Sequence, residues 1–161
     1  LHYPLRRQRQ MCIRDSYKIY LMKADIRVIV KGVQQYADYI DEIVTNAIGK
    51  YSIVNSLHIV EYRELCKGGH IVENKLVISN KSVCLYRSGS LFSEMSFIEG
   101  ECMESDYINT DGELNVKIKT LSYHPTISDN NIHIELNYDL FINNQFLSNN
   151  SLTIFINEMA L

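Results

Sequence analysis

The chain lacks most of the motifs that assign a protein to a familiar class. Its 161 residues contain no run that approaches the roughly 18 apolar residues of a transmembrane helix, and no apolar stretch with a small-residue cleavage site predicts secretion. There is no glycine-rich phosphate loop, no G-x-S-x-G nucleophile motif and no C-x-x-C pair. The sequence therefore predicts no membrane partner, no catalytic residue and no cofactor. An enzyme remains possible only through residues that the fold brings together.

Cysteine and histidine are sparse and scattered. The four cysteines, Cys12, Cys66, Cys84 and Cys102, lie far apart along the chain, which is typical of free thiols in a reducing cytoplasm. The histidines from His58 onward lie on separate segments, whereas a metal site needs several converging ligands. We therefore expect a cytoplasmic protein without a metal site.

The charge is unevenly distributed. The whole chain has a formal net charge of -3, but residues 1–16 hold four basic side chains and one acidic side chain. The remaining residues contain 12 basic and 18 acidic side chains, a net charge of -6. An acidic body argues against nucleic acid and against an anionic membrane surface as partners.

The basic segment has an origin outside the chemistry of the protein. The stretch RRQRQMCIRDS, residues 6–16, resembles a transposon-based sequencing adaptor translated in frame, because ATG TGT ATA AGA GAC AG encodes MCIRDS. We expect residues 1–16 to be an adaptor artefact and residues 1–21 to form a non-native or disordered extension. A single domain is then expected over residues 22–161, with Met22 as its suspected start.

The rest of the chain alternates between apolar and polar residues. This period of two is typical of half-buried strands, and turn sequences such as Asn55-Ser56, Asp111-Gly112 and Asn143-Asn144 separate the segments. Gly49 predicts a bulge or bend within the second strand, and residues 124–131 are predicted to form a loop. Strands joined by short turns pair as antiparallel neighbours, and closing the sheet removes its exposed edges. The sequence thus predicts an all-β fold, an antiparallel up-and-down β-barrel of about 8–10 strands.

The alternation also predicts which polar side chains face the barrel interior. Arg87, Glu61, Tyr107, Tyr138 and Thr120 each share a face with apolar residues of their own strands. An interior lined in this way suits a small polar or anionic ligand. The alternative is structural: a buried guanidinium needs a partner, and Arg87 would close one barrel end by binding backbone carbonyls or a carboxylate.

Three apolar residues, Ile29, Phe141 and Phe155, fall on outward positions. If they cluster, they mark a surface for a homodimer or a protein partner. Two functions therefore compete. The first is a small-ligand carrier or sensor that uses the barrel interior, and the second is an interaction scaffold that uses the exterior or the rim.

Several short motifs follow one another in a fixed order: Gly49-Lys50-Tyr51, Val83–Gly89 (VCLYRSG), Met95-x-Phe97, Asp111–Leu114 (DGEL) and Glu135-Leu136-x-Tyr138-Asp139. In their order and spacing, from about Asp25 to Asn157, the chain resembles the YwiB-type family. These are small bacterial proteins of unknown function, mostly from low-GC Gram-positive organisms. The resemblance implies a calycin-like (lipocalin-like) barrel and supplies no established activity and no catalytic residue.

Overall fold

The fold consists almost entirely of β-strands. The computed structural model describes the backbone of residues 19–158 and the side chains of residues 25–158. A short 3-10 turn, Lys67–Gly69, follows the third strand, and no described helix is long and apolar enough to cross a membrane. The ten strands are β1 (Ile19–Gln35), β2 (Ile40–Val54), β3 (Leu57–Leu65), β4 (Ile71–Ile78), β5 (Ser82–Gly89), β6 (Phe92–Ile98), β7 (Cys102–Asn109), β8 (Gly112–Ile127), β9 (Asn131–Ile142) and β10 (Gln145–Asn157).

These strands close into one barrel. Each strand pairs antiparallel with its neighbours in sequence, and β1 pairs with β10. The predicted all-β, antiparallel, up-and-down barrel is therefore confirmed, with ten strands. Because consecutive strands run in opposite directions, the turns alternate between the two ends. The turns that follow odd-numbered strands lie at what we call the Arg87 end, and those that follow even-numbered strands lie at what we call the Tyr123 end.

Two of the predicted hairpin turns are built from residues that tolerate a left-handed backbone. Asn55 and Ser56 have φ of 52° and 67°, and Asn143 and Asn144 have φ of 49° and 64°. Short polar side chains adopt this conformation more readily than bulky ones because they can hydrogen-bond to nearby backbone. The turns at Asn55-Ser56 and Asn143-Asn144 therefore agree with the sequence prediction.

Gly49 lies where β2 separates from β3. A Cβ atom at this position would lie 2.5 Å from the backbone carbonyl oxygen of Glu61, so only glycine permits the close approach. Pairing of β2 with β3 covers only Gly49 to Val54, whereas pairing with β1 continues back to Ile40. The first part of β2 therefore extends beyond β3 towards the Arg87 end.

The loop predicted over residues 124–131 is shorter than expected. β8 continues to Ile127, and Pro125 lies opposite Ile134 of β9. After Lys119, β8 pairs with β9 along one edge and no longer pairs with β7. A proline, which donates no ladder hydrogen bond, is tolerated on a strand with an unpaired edge. The predicted loop was too long because residues 124–127, including Pro125, continue β8.

The predicted domain start at Met22 falls inside β1. The backbone of this strand begins at Ile19, which pairs with Val54 of β2. Residues 19–21 are therefore part of the paired strand. The adaptor and extension predictions for residues 1–18 lie outside the described residues.

An apolar core fills the Tyr123 half of the barrel. The hydroxyl of Tyr123 donates hydrogen bonds to the carbonyls of Ser79 (2.8 Å) and Ser82 (3.0 Å), across this end. Each apolar side chain that is fully buried in this core stabilises the protein by about 1.5–3 kcal/mol relative to an exposed one. The inward-facing core residues in this half, each at most 3% exposed, are Ile26, Val28, Val60, Ile78, Val83, Phe97, Ile132, Ile134, Leu136, Ile154 and Ile156.

Candidate functional site

Polar side chains line the barrel interior near the Arg87 end. Asn74, Arg87, Ser93 and Tyr107 occupy inward positions on β4, β5, β6 and β7, and the strand register places each beside the next. We call these four residues the Arg87 row. Asn74 and Ser93 are buried, whereas Arg87 and Tyr107 are half-buried. The row therefore runs across four neighbouring strands of the barrel wall.

Arg87 is held by two polar partners. Its Nε donates a hydrogen bond to Oδ1 of Asn74 (3.1 Å), and its Nη2 lies 3.4 Å from Oε2 of Glu64. The Arg87 and Glu64 side chains are 22% and 19% exposed. Arg87 thus contacts a carboxylate, as the structural alternative expects, and its charge is matched inside the barrel.

Tyr62 lies beside this ion pair. Burial, and after it the Glu64 carboxylate, raise the pKa of the Tyr62 hydroxyl, while the Arg87 guanidinium lowers it. Desolvation is the largest of these effects. It raises the pKa because burial disfavours the charged phenolate. The phenol therefore stays protonated and adds a polar group to the same part of the interior.

A second line of polar residues crosses the opposite set of strands. Thr120, Tyr138, Asn150 and Gln34 occupy inward positions on β8, β9, β10 and β1, again as direct neighbours in the register. We call them the Tyr138 row. The Tyr138 ring packs edge-on against Phe97 with 4.9 Å between ring centroids, and burial raises the pKa of Tyr138 to about 12, an effect that the nearby Asn150 amide opposes. The row thus lies against the boundary of the apolar core.

Five buried polar atoms in this region have no partner at hydrogen-bonding geometry. They are the hydroxyl oxygens of Ser93, Thr120 and Ser148 and both amide atoms of Asn150. Ser148 lies on the same inward face of β10 as Asn150. An unsatisfied buried polar group costs about 1–3 kcal/mol, so native proteins usually pair such groups with water or another molecule. These unsatisfied atoms, which lie on β6, β8 and β10, indicate a place for water or another polar molecule inside the barrel.

Among the described side chains, one further buried atom without a hydrogen-bond partner lies outside the barrel interior. It is Nε2 of His133, which faces the Glu135 carboxylate at 3.4 Å on the outer side of β9. Its ring stacks on Phe155 with 4.4 Å between centroids. Because a carboxylate stands next to it, this atom adds nothing to the interior site.

Both rows border cavities on the barrel wall. A cavity of about 260 Å³ is lined by outward residues of β3 to β6 and also by Asn74, Arg87 and Ser93. Another of about 550 Å³ is lined by outward residues of β1, β8, β9 and β10 and also by Tyr138 and Asn150. Because most of their lining residues point outward, both cavities open on the outer face of the wall, with members of each row among their lining residues.

Four of the five predicted site residues occupy the inward positions expected of them. Arg87 and Tyr107 belong to one row, and Thr120 and Tyr138 belong to the other. The structure therefore distributes them over two lines of residues instead of a single cluster.

The inward placement of Glu61 is wrong. Glu61 is exposed and lies opposite Lys75, whereas Val60 and Tyr62 face inward with 0% and 4% exposure. β3 carries apolar residues on both faces, so a period of two does not define its inner face, and a shift of one residue exchanges the faces. Glu64 supplies the interior carboxylate instead of Glu61.

The predicted site also omits four buried polar residues, namely Asn74, Ser93, Ser148 and Asn150. Each stands in line with apolar inward residues of its own strand, as Asn150 does with Ile154. A polar side chain at an otherwise apolar position is the sequence signal that identifies them.

Two further predictions concern metal ions and cysteines. Among the described residues there is no group of three or more His, Cys, Asp or Glu side chains that could hold a metal ion. The described cysteines, Cys66, Cys84 and Cys102, are free thiols.

The outward apolar residues form two separate contacts. Ile29 of β1 lies opposite Phe155 of β10 in the Tyr123 half of the barrel. Phe141 of β9 packs against Phe146 of β10 at the Arg87 end. The nitrogen Nζ of Lys117 lies 5.7 Å from the centroid of the Phe141 ring. These residues therefore do not form the single apolar surface that the sequence allowed.

The geometry defines a closed ten-stranded antiparallel barrel with a polar region inside one end. A family model described as Domain of unknown function (DUF1934) matches residues 28–154. Since this match covers most of the chain, the protein belongs to that family, and its resemblance to YwiB-type proteins is confirmed.

The fold is similar to that of a solved structure. The crystal structure of the ywiB protein from Bacillus subtilis matches with a TM-score of 0.79 and 21% sequence identity. The match covers 91% of this chain and 99% of that chain. At this level of identity the similarity shows the fold alone. No curated protein matches the chain.

Proposed function

We propose that this protein binds a small polar molecule inside the Arg87 half of its barrel. The observation that carries the proposal is the set of five buried atoms on Ser93, Thr120, Ser148 and Asn150 that lack a partner at hydrogen-bonding geometry, although the Asn150 amide lies near enough to Tyr138 to lower its pKa. A bound molecule with hydroxyl or amide groups would supply the missing hydrogen bonds, and fixed polar groups in a largely apolar interior are typical of ligand sites. The protein would then act as a carrier or sensor of calycin type.

The charges inside the barrel bear on the kind of ligand. Glu64 lies 3.4 Å from Arg87, so the guanidinium already has a counter-charge. A free anion would have to compete with this carboxylate, whereas an uncharged polar molecule would leave the ion pair intact. Of the small polar or anionic ligands that the sequence allowed, we favour an uncharged one.

The compartment is part of the same proposal. The three described cysteines are free and lie on separate strands or loops, which supports a reducing cytoplasm. A ligand for this protein would accordingly be a small molecule of the cell interior.

Native mass spectrometry of the purified full-length chain tests the proposal. We expect a retained mass on the wild type, loss of that mass in Asn150→Ala, and retention in Asn149→Ala. The two asparagines are adjacent on β10, but Asn149 is exposed and bonds to Asp139 outside the barrel. A wild type without any retained mass, or equal retention in both variants, would contradict an interior ligand.

A second candidate function, an interaction scaffold, is favoured by one observation. β2 exposes Ile40, Ile43, Val44 and Ile48 to between 56% and 66% on a part of the strand that has left β3. Exposed apolar residues grouped in this way are typical of a contact surface. The strand edge beside them decides which partner fits.

A further inference from the structure

The first nine residues of β2, from Ile40 to Ile48, have a strand partner on only one edge. They pair with Gln35 to Arg27 of β1, whereas β3 pairs with β2 only from Gly49 onward. Among the described residues no other strand pairs with this edge. An edge of this length presents a row of unpaired backbone N–H and C=O groups, which can pair with another strand.

This edge carries only part of the protection that natural edge strands have. The segment reads IDEIVTNAI and contains no proline and no lysine, and its two charged residues, Asp41 and Glu42, lie near one end, where Glu42 pairs with Lys31 of β1 at 3.4 Å. Its outward residues Ile40, Val44 and Ile48 are 66%, 56% and 62% exposed. Natural proteins normally shield such edges with charges, proline, bulges or a covering segment. An edge with little shielding and three exposed apolar residues on its outer face is therefore suited to a contact.

We propose that two copies of this chain form a dimer by pairing these β2 edges antiparallel, with the twofold axis at Val44. A twofold axis makes the same edge complementary to itself, so the contact is closed and does not propagate into a filament. The proposal concerns the outer edge of the barrel and is independent of the interior ligand.

The sequence of the edge selects this register. With the axis at Val44, apolar side chains meet apolar ones on the outer face, and each carboxylate meets an uncharged residue. Moving the axis to Glu42 would bring two carboxylates face to face. Moving it to Ile43 or Thr45 would set Glu42 opposite a large apolar residue, Val44 or Ile48, on the outer face, whereas the chosen register sets Asp41 opposite only the small Ala47. The opposed pairs, with the residue of the second copy given second, are Ile40 with Ile48, Asp41 with Ala47, Glu42 with Asn46, Ile43 with Thr45, and Val44 with Val44.

Cysteine cross-linking in the full-length chain tests the register. Directly opposed residues of an antiparallel pair have Cα atoms about 4.5–5.5 Å apart, within the range of a disulfide. Val44→Cys is therefore expected to form a cross-linked dimer, roughly tenfold or more above the wild-type background from the native cysteines. Ile48→Cys alone is the matched control, because the two introduced thiols would lie about 27 Å apart at 3.4 Å per residue. Mixing Ile40→Cys with Ile48→Cys should restore the cross-link.

Sedimentation gives an independent readout. We expect a wild-type dimer, a monomer for Val44→Lys, and a dimer for Ile108→Lys, which alters a 43% exposed residue on the distant strand β7. The interior variant Arg87→Met should also remain dimeric. A wild type that stays monomeric across concentrations would overturn the proposal, and so would equal cross-linking of Val44→Cys and Ile48→Cys.

Compensating charges provide the last check. Asn46→Glu should weaken the dimer because it sets a new carboxylate against Glu42 of the second copy. Adding Glu42→Lys should restore the affinity, because a lysine then faces that new carboxylate. These two positions lie on the exposed outer face, so the barrel itself should remain folded. Failure of the double variant to recover affinity would contradict the Val44-centred register.

Discussion

The two halves of the barrel interior differ in chemistry although the same strands build both. On β9, Ile132, Ile134 and Leu136 form part of the apolar core, and the next inward residue is Tyr138. On β10, Ile156 and Ile154 lie in the apolar half, whereas Asn150 lies towards the Arg87 end. The contrast is one of composition: the Tyr123 half is packed with apolar side chains, whereas the Arg87 half combines polar groups with buried apolar residues such as Val72 and Ile118.

One aromatic contact lies at the boundary between the halves. Phe97 from the apolar half packs against Tyr138 from the polar half, with 62° between the ring planes. Such edge-to-face pairs contribute about 0.5–1.5 kcal/mol beyond the area they bury. The contact lets an apolar ring and a phenol share one layer of the interior.

Truncation in the apolar half should have the largest effect. Leu136→Ala removes a side chain that is 1% exposed, and we expect it to lower the free energy of unfolding by about 2–5 kcal/mol. The control is Leu121→Ala on the outside of β8, 50% exposed, which should change stability by less than about 0.5 kcal/mol. Chemical denaturation measures both, and similar values for the two would contradict the assignment of the core.

Removing the interior cation should have the next largest effect. Arg87→Met leaves Glu64 and Asn74 without their partner, so we expect a loss of about 2–3 kcal/mol. The matched control is Arg63→Met, because Arg63 pairs with Glu73 at 2.7 Å on the surface, where an ion pair contributes about 0–1 kcal/mol. If denaturant titrations gave equal losses in the free energy of unfolding for the two variants, the Arg87 ion pair would contribute no more than the surface pair of Arg63, which would contradict its assignment to the interior.

The pH dependence of stability should report Tyr138. Its pKa is about 12 in the folded protein and about 10 in the unfolded chain, so the unfolded state loses its proton first as the pH rises. The contribution of Tyr138 is complete below pH 10 and is lost between about pH 10 and 12. Between about pH 9 and 11, the free energy of unfolding of the wild type should therefore fall by about 1–2 kcal/mol more than that of Tyr138→Phe. Denaturation at both pH values checks this, and parallel losses in the two proteins would contradict it.

The smallest change concerns a single hydroxyl of the polar half. Thr120→Val replaces a fully buried hydroxyl that has no protein partner. If a bound molecule or water satisfies it, the variant should lose about 1 kcal/mol. If the region is dry, the apolar replacement should instead stabilise the protein. Thr126→Val, at an exposed position on the same strand, is the control for side-chain shape and strand propensity.

The fold was predictable because most strands alternate cleanly. β9 separates apolar from polar residues without exception from Ile132 to Leu140, so the inward face of Tyr138 followed from the sequence. β3 has apolar residues on both faces, and there the choice between Glu61 and Glu64 depended on the register with β4. Local pattern does not contain that information.

The site itself was less predictable than its members. That Arg87 lies between Asn74 and Ser93 depends on two strand registers, and these are set by turns and by packing in the closed barrel. The same holds for Thr120, Tyr138 and Asn150. A sequence pattern assigns each side chain to a face, whereas the rows arise only when the strands are aligned.

The most direct test of a ligand-binding interior is an atomic-resolution crystal structure of the protein as purified. We expect ordered density for a molecule larger than water, within hydrogen-bonding distance of at least two of Ser93, Thr120, Ser148 and Asn150. An interior in which these side chains bond to one another, or are met by water alone, would contradict the proposal.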